Sequence, residues 1–163
     1  MTRQVLIPQV SSPVISAWAG LLKAHAATTR ELSAELQAEH GLTINDYECL
    51  LLLSHAEGGA MRRIDLSGEL LLTPSGVTRL LDGLQEAGYV CNHSCETDAR
   101  VKYAVLTPDG RRKLEDASRS HLAAVGELFG QRFSEDELRT LGELLGRLPG
   151  AGGDGSACSP GPA

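Results

Sequence analysis

A mainly α-helical fold with one short β-hairpin is what this chain of 163 residues predicts. Aromatic residues make up only 4 % of it, so Leu and Val must fill the core, as they do in helical folds. Most segments show apolar residues at three- and four-residue steps. Between Leu66 and Gly110 the order reads helix, turn, helix, hairpin, helix start. Together these give an α+β fold of the winged helix-turn-helix kind, with N- and C-terminal helices forming a dimerisation base.

The first helix is expected to begin at Ser12 and Pro13 and to close at Gly41. Val14, Trp18, Leu21, Leu22, His25, Leu32 and Leu36 form one apolar face along it. Such a helix is about 40 Å long, more than a small core covers, so a second subunit is expected against it. Thr43 and Asp46 resemble a capping box for a helix through Tyr47 and Leu50 to Leu53, stopped by Gly58 and Gly59. Arg62 to Leu70 forms the first helix of the helix-turn-helix. Thr73 is a good N-cap for the second, and Pro74 lacks only an N–H that the first helical position does not need. Val77, Leu80, Leu81, Leu84 and Ala87 face the core, and Ser75, Thr78 and Arg79 face away.

Tyr89 to Cys95 and Val101 to Leu106 then form the hairpin around Glu96 to Ala99. Thr107, Pro108 and Gly110 start another long helix, with Leu114, Ala117, His121, Val125, Leu128 and Phe129 on its apolar side. Ser134 and Glu137 cap the last helix, striped by Leu138, Leu141, Leu145 and Leu148. The expected organisation is an N-terminal arm (1–11), one domain (12–148) and a disordered Gly/Pro-rich tail (149–163). Within the domain, 12–41 and 108–148 are base helices, and 43–107 is the winged helix-turn-helix with its wing at 89–106. The tail carries Cys158 but too few large apolar side chains to offset its ordering entropy.

The net charge of −6 argues at first sight against nucleic acid, because phosphate neutralisation is the main source of affinity for it. Position matters more than the total. From Ala60 to Lys113 there are eight Lys/Arg against seven Asp/Glu, whereas the rest carries seven against fourteen. Four cysteines, no apolar run of membrane-spanning length and no signal-peptide pattern point to the cytoplasm and to reduced thiols, with no membrane partner. No metal-hydrolase helix motif, phosphate loop or nucleophile–base pairing appears, so neither an enzyme nor a cofactor is expected.

Short hydroxyls and a guanidinium near a helix N-terminus suit phosphates and base edges in a major groove, which makes Thr73, Ser75, Thr78 and Arg79 candidate DNA contacts. The whole run carries Leu66, Leu70, Thr73, Ser75, Thr78, Arg79, Asp82, Gly88, Asp98, Arg100, Thr107 and Gly110 in order. In this it resembles the multiple-antibiotic-resistance regulator (MarR) family. The resemblance implies a homodimeric transcription regulator, more often a repressor, on double-stranded DNA with a pseudo-palindromic operator. It also implies that the outer helices intertwine to form the dimer. At the wing tip it implies that Arg100 enters the minor groove while Asp98 holds an arginine in place. This chain departs from the family at Gly83, where an Arg is usual, and at Asn92, where a basic residue is usual. Lys102, Arg62 and Arg63 are candidates to compensate, with Arg62 and Lys102 counted among the DNA contacts.

Family members commonly bind small aromatic or phenolic carboxylates between base and head. Here Trp18, His25, Tyr47, His55, Arg62 and Arg63 supply aromatic walls and guanidinium groups for such an effector. An alternative is a thiol or metal sensor built on Cys91, His93 and Cys95, which alternate along one strand face. Cys91 and Cys95 would lie about 13 Å apart on a regular strand, too far for a disulfide, and no CxxC pair completes a metal set. Cys49, within a leucine run, is expected in the core. A second alternative, favoured by Gly83, Asn92 and the acidic balance, is a protein-interaction module that has lost DNA binding.

Overall fold

Residues 12–94 and 101–149 are described in the computed structural model. The N-terminal arm, the wing tip at Glu96 to Ala99 and the tail beyond Pro149 lie outside them. Six helices and three strands follow in the order α1 (Pro13–His40), α2 (Ile44–His55), β1 (Ala60–Arg62), α3 (Arg63–Glu69), α4 (Pro74–Glu86), β2 (Val90–Ser94), β3 (Lys102–Leu106), α5 (Pro108–Gly130) and α6 (Glu135–Leu145). Local chemistry sets most boundaries. Ser12 Oγ accepts from Val14 N–H at the start of α1, and Gly41, at φ 66°, ends it by donating to the Gln37 carbonyl. The Thr43–Asp46 capping box opens α2, and the Ser134–Glu137 box opens α6.

The core is built around α2, whose Tyr47, Cys49, Leu50 and Leu53 are buried against Leu36 of α1, Leu66 of α3, Leu81 of α4, Ala104 of β3 and Leu114 of α5. The expected apolar face of α1 behaves differently at its two ends. Leu36 is buried, but Val14 is 73 % exposed and Trp18 58 % exposed within one protomer. No residue of α6 is buried.

Three expectations require correction. The sheet has three strands, not two, because Ala60–Arg62 pairs antiparallel with β3 in the order β1-β3-β2. Gly58 and Gly59, at φ 62° and 70°, turn the chain alongside β3, and three residues are too few to show a strand period. Arg62 is therefore the last strand residue, and α3 begins at Arg63. Ala87 is exposed, because it is the C-cap of α4 rather than a member of its buried stripe.

The end of α4, the wing and the start of α5 meet at one junction. Tyr89 N–H donates to the Leu84 carbonyl and Gly88 N–H to that of Gln85, with Gly88 at φ 78°, which closes α4 in a Schellman motif. Thr107 caps α5 by accepting from Gly110 N–H, and its own hydroxyl donates back to the carbonyls of Gly88 (2.7 Å) and Tyr89 (3.1 Å). A Cβ at Gly110 would lie 2.1 Å from the Tyr89 carbonyl oxygen. Only glycine lets α5 approach the wing this closely.

Farther along α5, the His121 ring meets that of Tyr47 at 4.6 Å between centroids, tilted by 54°, and Tyr47 OH lies 3.2 Å from Ser118 Oγ. Next to it, His40 Nε2 lies 2.6 Å from Ser120 Oγ. Nδ1 of His121 is buried without a hydrogen-bond partner among the described residues. Burial holds its imidazole below the usual range, and the nearby Glu35 carboxylate pulls weakly the other way.

Two outcomes follow from this packing. Gly110→Ala forces a backbone clash that no rotamer change relieves, so unfolding in urea at fixed protein concentration should show a loss of about 3 kcal/mol or more. For His121 the unfolded chain binds a proton more readily than the folded one. Its contribution to stability is therefore complete above about pH 6.5 and is lost as pH falls below it. A urea series in that acid range should show this loss in the parent protein and a smaller one in His121→Phe.

Candidate nucleic-acid interface

Helix α4 presents two opposite faces. Val77, Leu81 and Leu84 are buried and Leu80 half-buried, which leaves Thr73, Ser75, Thr78, Arg79 and Gly83 exposed on the other side. The exposed hydroxyls are partly committed. Thr73 Oγ1 accepts from Gly76 N–H as the N-cap and lies 3.2 Å from Ser75 Oγ. Thr78 Oγ1 donates to the Pro74 carbonyl at 3.0 Å, so it faces solvent as an acceptor with a methyl group beside it. Arg79 has no ion-pair partner among the described residues.

Strand β2 is the sheet edge next to α4, and Asn92 Nδ2 donates to Gln85 Oε1 across the gap. The two positions that lack the family's cation differ in cause. Asn92 ties the wing to α4, whereas a Cβ at Gly83 would meet nothing within 4 Å. Asp98 and Arg100, the expected wing-tip pair, lie outside the described residues.

Between α3, α4 and β3 opens a cleft of about 360 Å³, lined by Arg62, Arg63, Ile64, Ser67, Pro74, Val77, Thr78, Val101 and Lys102. It brings Arg62, Thr78 and Lys102, three of the expected DNA contacts, into one cleft. It also contains Arg63, expected both as an effector ligand and as a candidate to compensate for the missing cations. Arg62, at the strand end, chelates Asp65 with contacts of 2.6 and 2.9 Å. Arg63, the first residue of α3, turns inward. The sequence alone does not distinguish the two, because the strand-to-helix boundary falls between them.

The six residues expected around an effector do not share a cleft within the protomer. Tyr47 is buried with its hydroxyl committed to Ser118, Trp18 stands exposed on the distal half of α1, and His55 is exposed at the end of α2. Arg62 and Arg63 belong to the reading head. His25 alone lines an open groove of about 630 Å³ between α1 and α2, with Thr29, Arg30, Ser33, Gln37 and Ile44 among its neighbours. The set is divided because α2 buries Tyr47 and because Arg62, at the end of β1, and Arg63, at the start of α3, lie in the cleft against α4 and β3.

Cys91 and His93 are exposed on β2, and Cys95 lies outside the described residues. Among the described residues no group of three His, Cys, Asp or Glu is placed to hold a metal. Cys49 is fully buried, as expected, and burial pushes its thiol up to about 12. No described helix is long and apolar enough to cross a membrane.

No family model matches the chain. AbsC, a MarR family transcriptional regulator from Streptomyces coelicolor, is 30 % identical with a TM-score of 0.75, covering 85 % of this chain and 93 % of its own. Sco3205, a MarR family regulator from the same organism solved in complex with DNA, has the same fold at 23 % identity and TM-score 0.75, covering 85 % of this chain and 87 % of its own. The HTH-type transcriptional regulator MhqR of Bacillus subtilis is 28 % identical over 110 residues, 68 % of this chain and 74 % of the relative.

The thiols give a direct check on the packing. In a Cys95→Ser, Cys158→Ser background at about pH 8, near the ordinary thiol range, a thiol reagent should modify Cys91 promptly. Cys49 should react only when the protein is unfolded.

Proposed function

Since the chain belongs to the MarR family of winged helix-turn-helix transcriptional regulators, we propose that it is a homodimeric repressor that reads a pseudo-palindromic operator through α4. The observation that carries this reading is the two-faced α4 itself. One side is buried under Val77, Leu81 and Leu84, and the other presents Ser75, Thr78 and an Arg79 that has no ion-pair partner among the described residues. Arg79 suits the paired acceptors of guanine. Thr78, its proton committed to Pro74, suits a base amino group or a thymine methyl.

Dimerisation is supported by apolar surface that one protomer leaves uncovered. Val14, Ile15, Trp18 and Leu22 of α1, Leu122 of α5, Phe133 between α5 and α6, and Leu144 of α6 are all exposed. Joining these faces across a two-fold axis places two α4 helices in successive major grooves about 34 Å apart. A small aromatic acid would act from the groove beside His25 and Arg30, at the boundary of base helix α1 and head helix α2, where a ring and a carboxylate both find partners. It releases DNA only to the extent that it favours one spacing of the heads over another.

The decisive experiment is to select genomic fragments on the purified protein and read their symmetry and half-site spacing, with the molecular mass measured by sedimentation. A monomer in dilute solution, or no preference among fragments at low salt, refutes the proposal. On a selected operator, Arg79→Ala should cost about 1–3 kcal/mol of binding per half-site while leaving the helical signal intact. Gly83→Arg should act oppositely. It removes a helix penalty of about 1 kcal/mol and steepens the salt dependence of binding by about 0.9 per protomer.

A further inference from the structure

We infer that the cleft between α4 and the wing seats a backbone phosphate of the duplex, with Arg63 as its principal ligand and Lys102 as the second. The inference rests on the operator reading and specifies a contact within it. A sugar–phosphate strand is what separates a major groove from the minor groove beside it. With α4 in one groove and the wing against the next, that strand crosses the space between them, which is this cleft.

The side chains in the cleft differ in what they have free to give. The hydroxyl protons of Ser67 and Thr78 are committed to the carbonyls of Leu72 and Pro74. Arg62 would have to give up two short contacts to Asp65. Arg63 gives up almost nothing. Its side chain is 24 % exposed, its Nη2 is buried with no hydrogen-bond partner among the described residues, and the Asp82 carboxylate lies 3.9 Å away, beyond hydrogen-bond reach. Among the described residues, turning outward to an arriving phosphate would cost this guanidinium only the long contact to Asp82, and it would meet two oxygens with a matching fork. Lys102 lines the same cleft from β3, exposed and without an ion pair among the described residues.

A phosphate contact carries no base information, and this separates it from Arg79. The test is fluorescence anisotropy of full-length protein with a selected operator and with a scrambled duplex, each over a salt series. Arg63→Gln should weaken both duplexes by the same factor and reduce the slope of log K against log salt by about 0.9 per protomer, about 1.8 for a dimer. Arg63→Lys should keep the slope. Asp82→Asn, which removes the competing carboxylate, should tighten both duplexes.

An unchanged slope in Arg63→Gln overturns the inference. So does an Asp82→Asn protein that loses affinity as Arg63→Gln does, because Arg63 would then be only a strut between α3 and α4. If Arg63→Gln does not fold, Asp82→Asn decides: tightening supports the seat and weakening overturns it. A parent protein that binds neither duplex refutes the operator reading itself. Normal parent binding with an unaltered Arg63→Gln slope refutes only the phosphate seat.

Discussion

The contact between Gly110 and the Tyr89 carbonyl fixes how the two halves of this molecule are joined. Without a Cβ, the first turn of α5 lies directly on the wing strand, at a distance where an alanine methyl would overlap the oxygen. Thr107 locks the same point by capping α5 while donating to the carbonyls that follow α4. The recognition helix ends, the wing begins and the base helix begins within this one knot of backbone. Because α5 runs on for 23 residues, it is a stiff lever of about 34 Å whose short end is clamped to the reading head. A change in how the distal ends of α1, α5 and α6 pack is therefore carried to the head as a rigid displacement rather than absorbed in a loop.

The same lever accounts for the uneven burial. Helix α2 is the hub, and α1, α3, α4, β3 and α5 each contribute side chains to one continuous core with it. Away from α2 the helices outrun that core, leaving Trp18 and Leu22 on α1 and Leu122 on α5 uncovered. A chain with only two Phe and one Trp has few large side chains to spend on a protomer core of its own. Its helices extend beyond what that core can cover, which leaves apolar surface exposed on the protomer.

How much of this was legible in the sequence follows from the range of the forces involved. Five N-caps, at Ser12, Thr43, Thr73, Thr107 and Ser134, are set by hydrogen bonds spanning two or three residues, and each was placed correctly from local pattern alone. The wing strands were legible because a hairpin is also local. Strand β1 was not. Its three residues become a strand only by pairing with β3, more than forty positions away. The candidate site divided along the same line. The exposed face of α4 follows from helical periodicity, whereas the inward turn of Arg63 and the burial of Tyr47 depend on contacts between distant segments.

An acidic protein can still offer phosphate a cationic face if its acids are occupied elsewhere. On the base, arginines are neutralised by a carboxylate one turn before them: Arg112 with Asp109, Arg119 with Asp116 and Arg139 with Asp136. These pairs contribute little stability at an exposed surface, but they cancel the field of the base at short range. On the head, Arg79 and Lys102 have no such partner among the described residues, and Arg63 is held short of Asp82. Within a screening length of about 8 Å at physiological salt, a duplex meets these local cations rather than the net charge of the chain. The sign of the whole molecule therefore governs its long-range behaviour, while the pairing pattern of its arginines determines which surface attracts DNA.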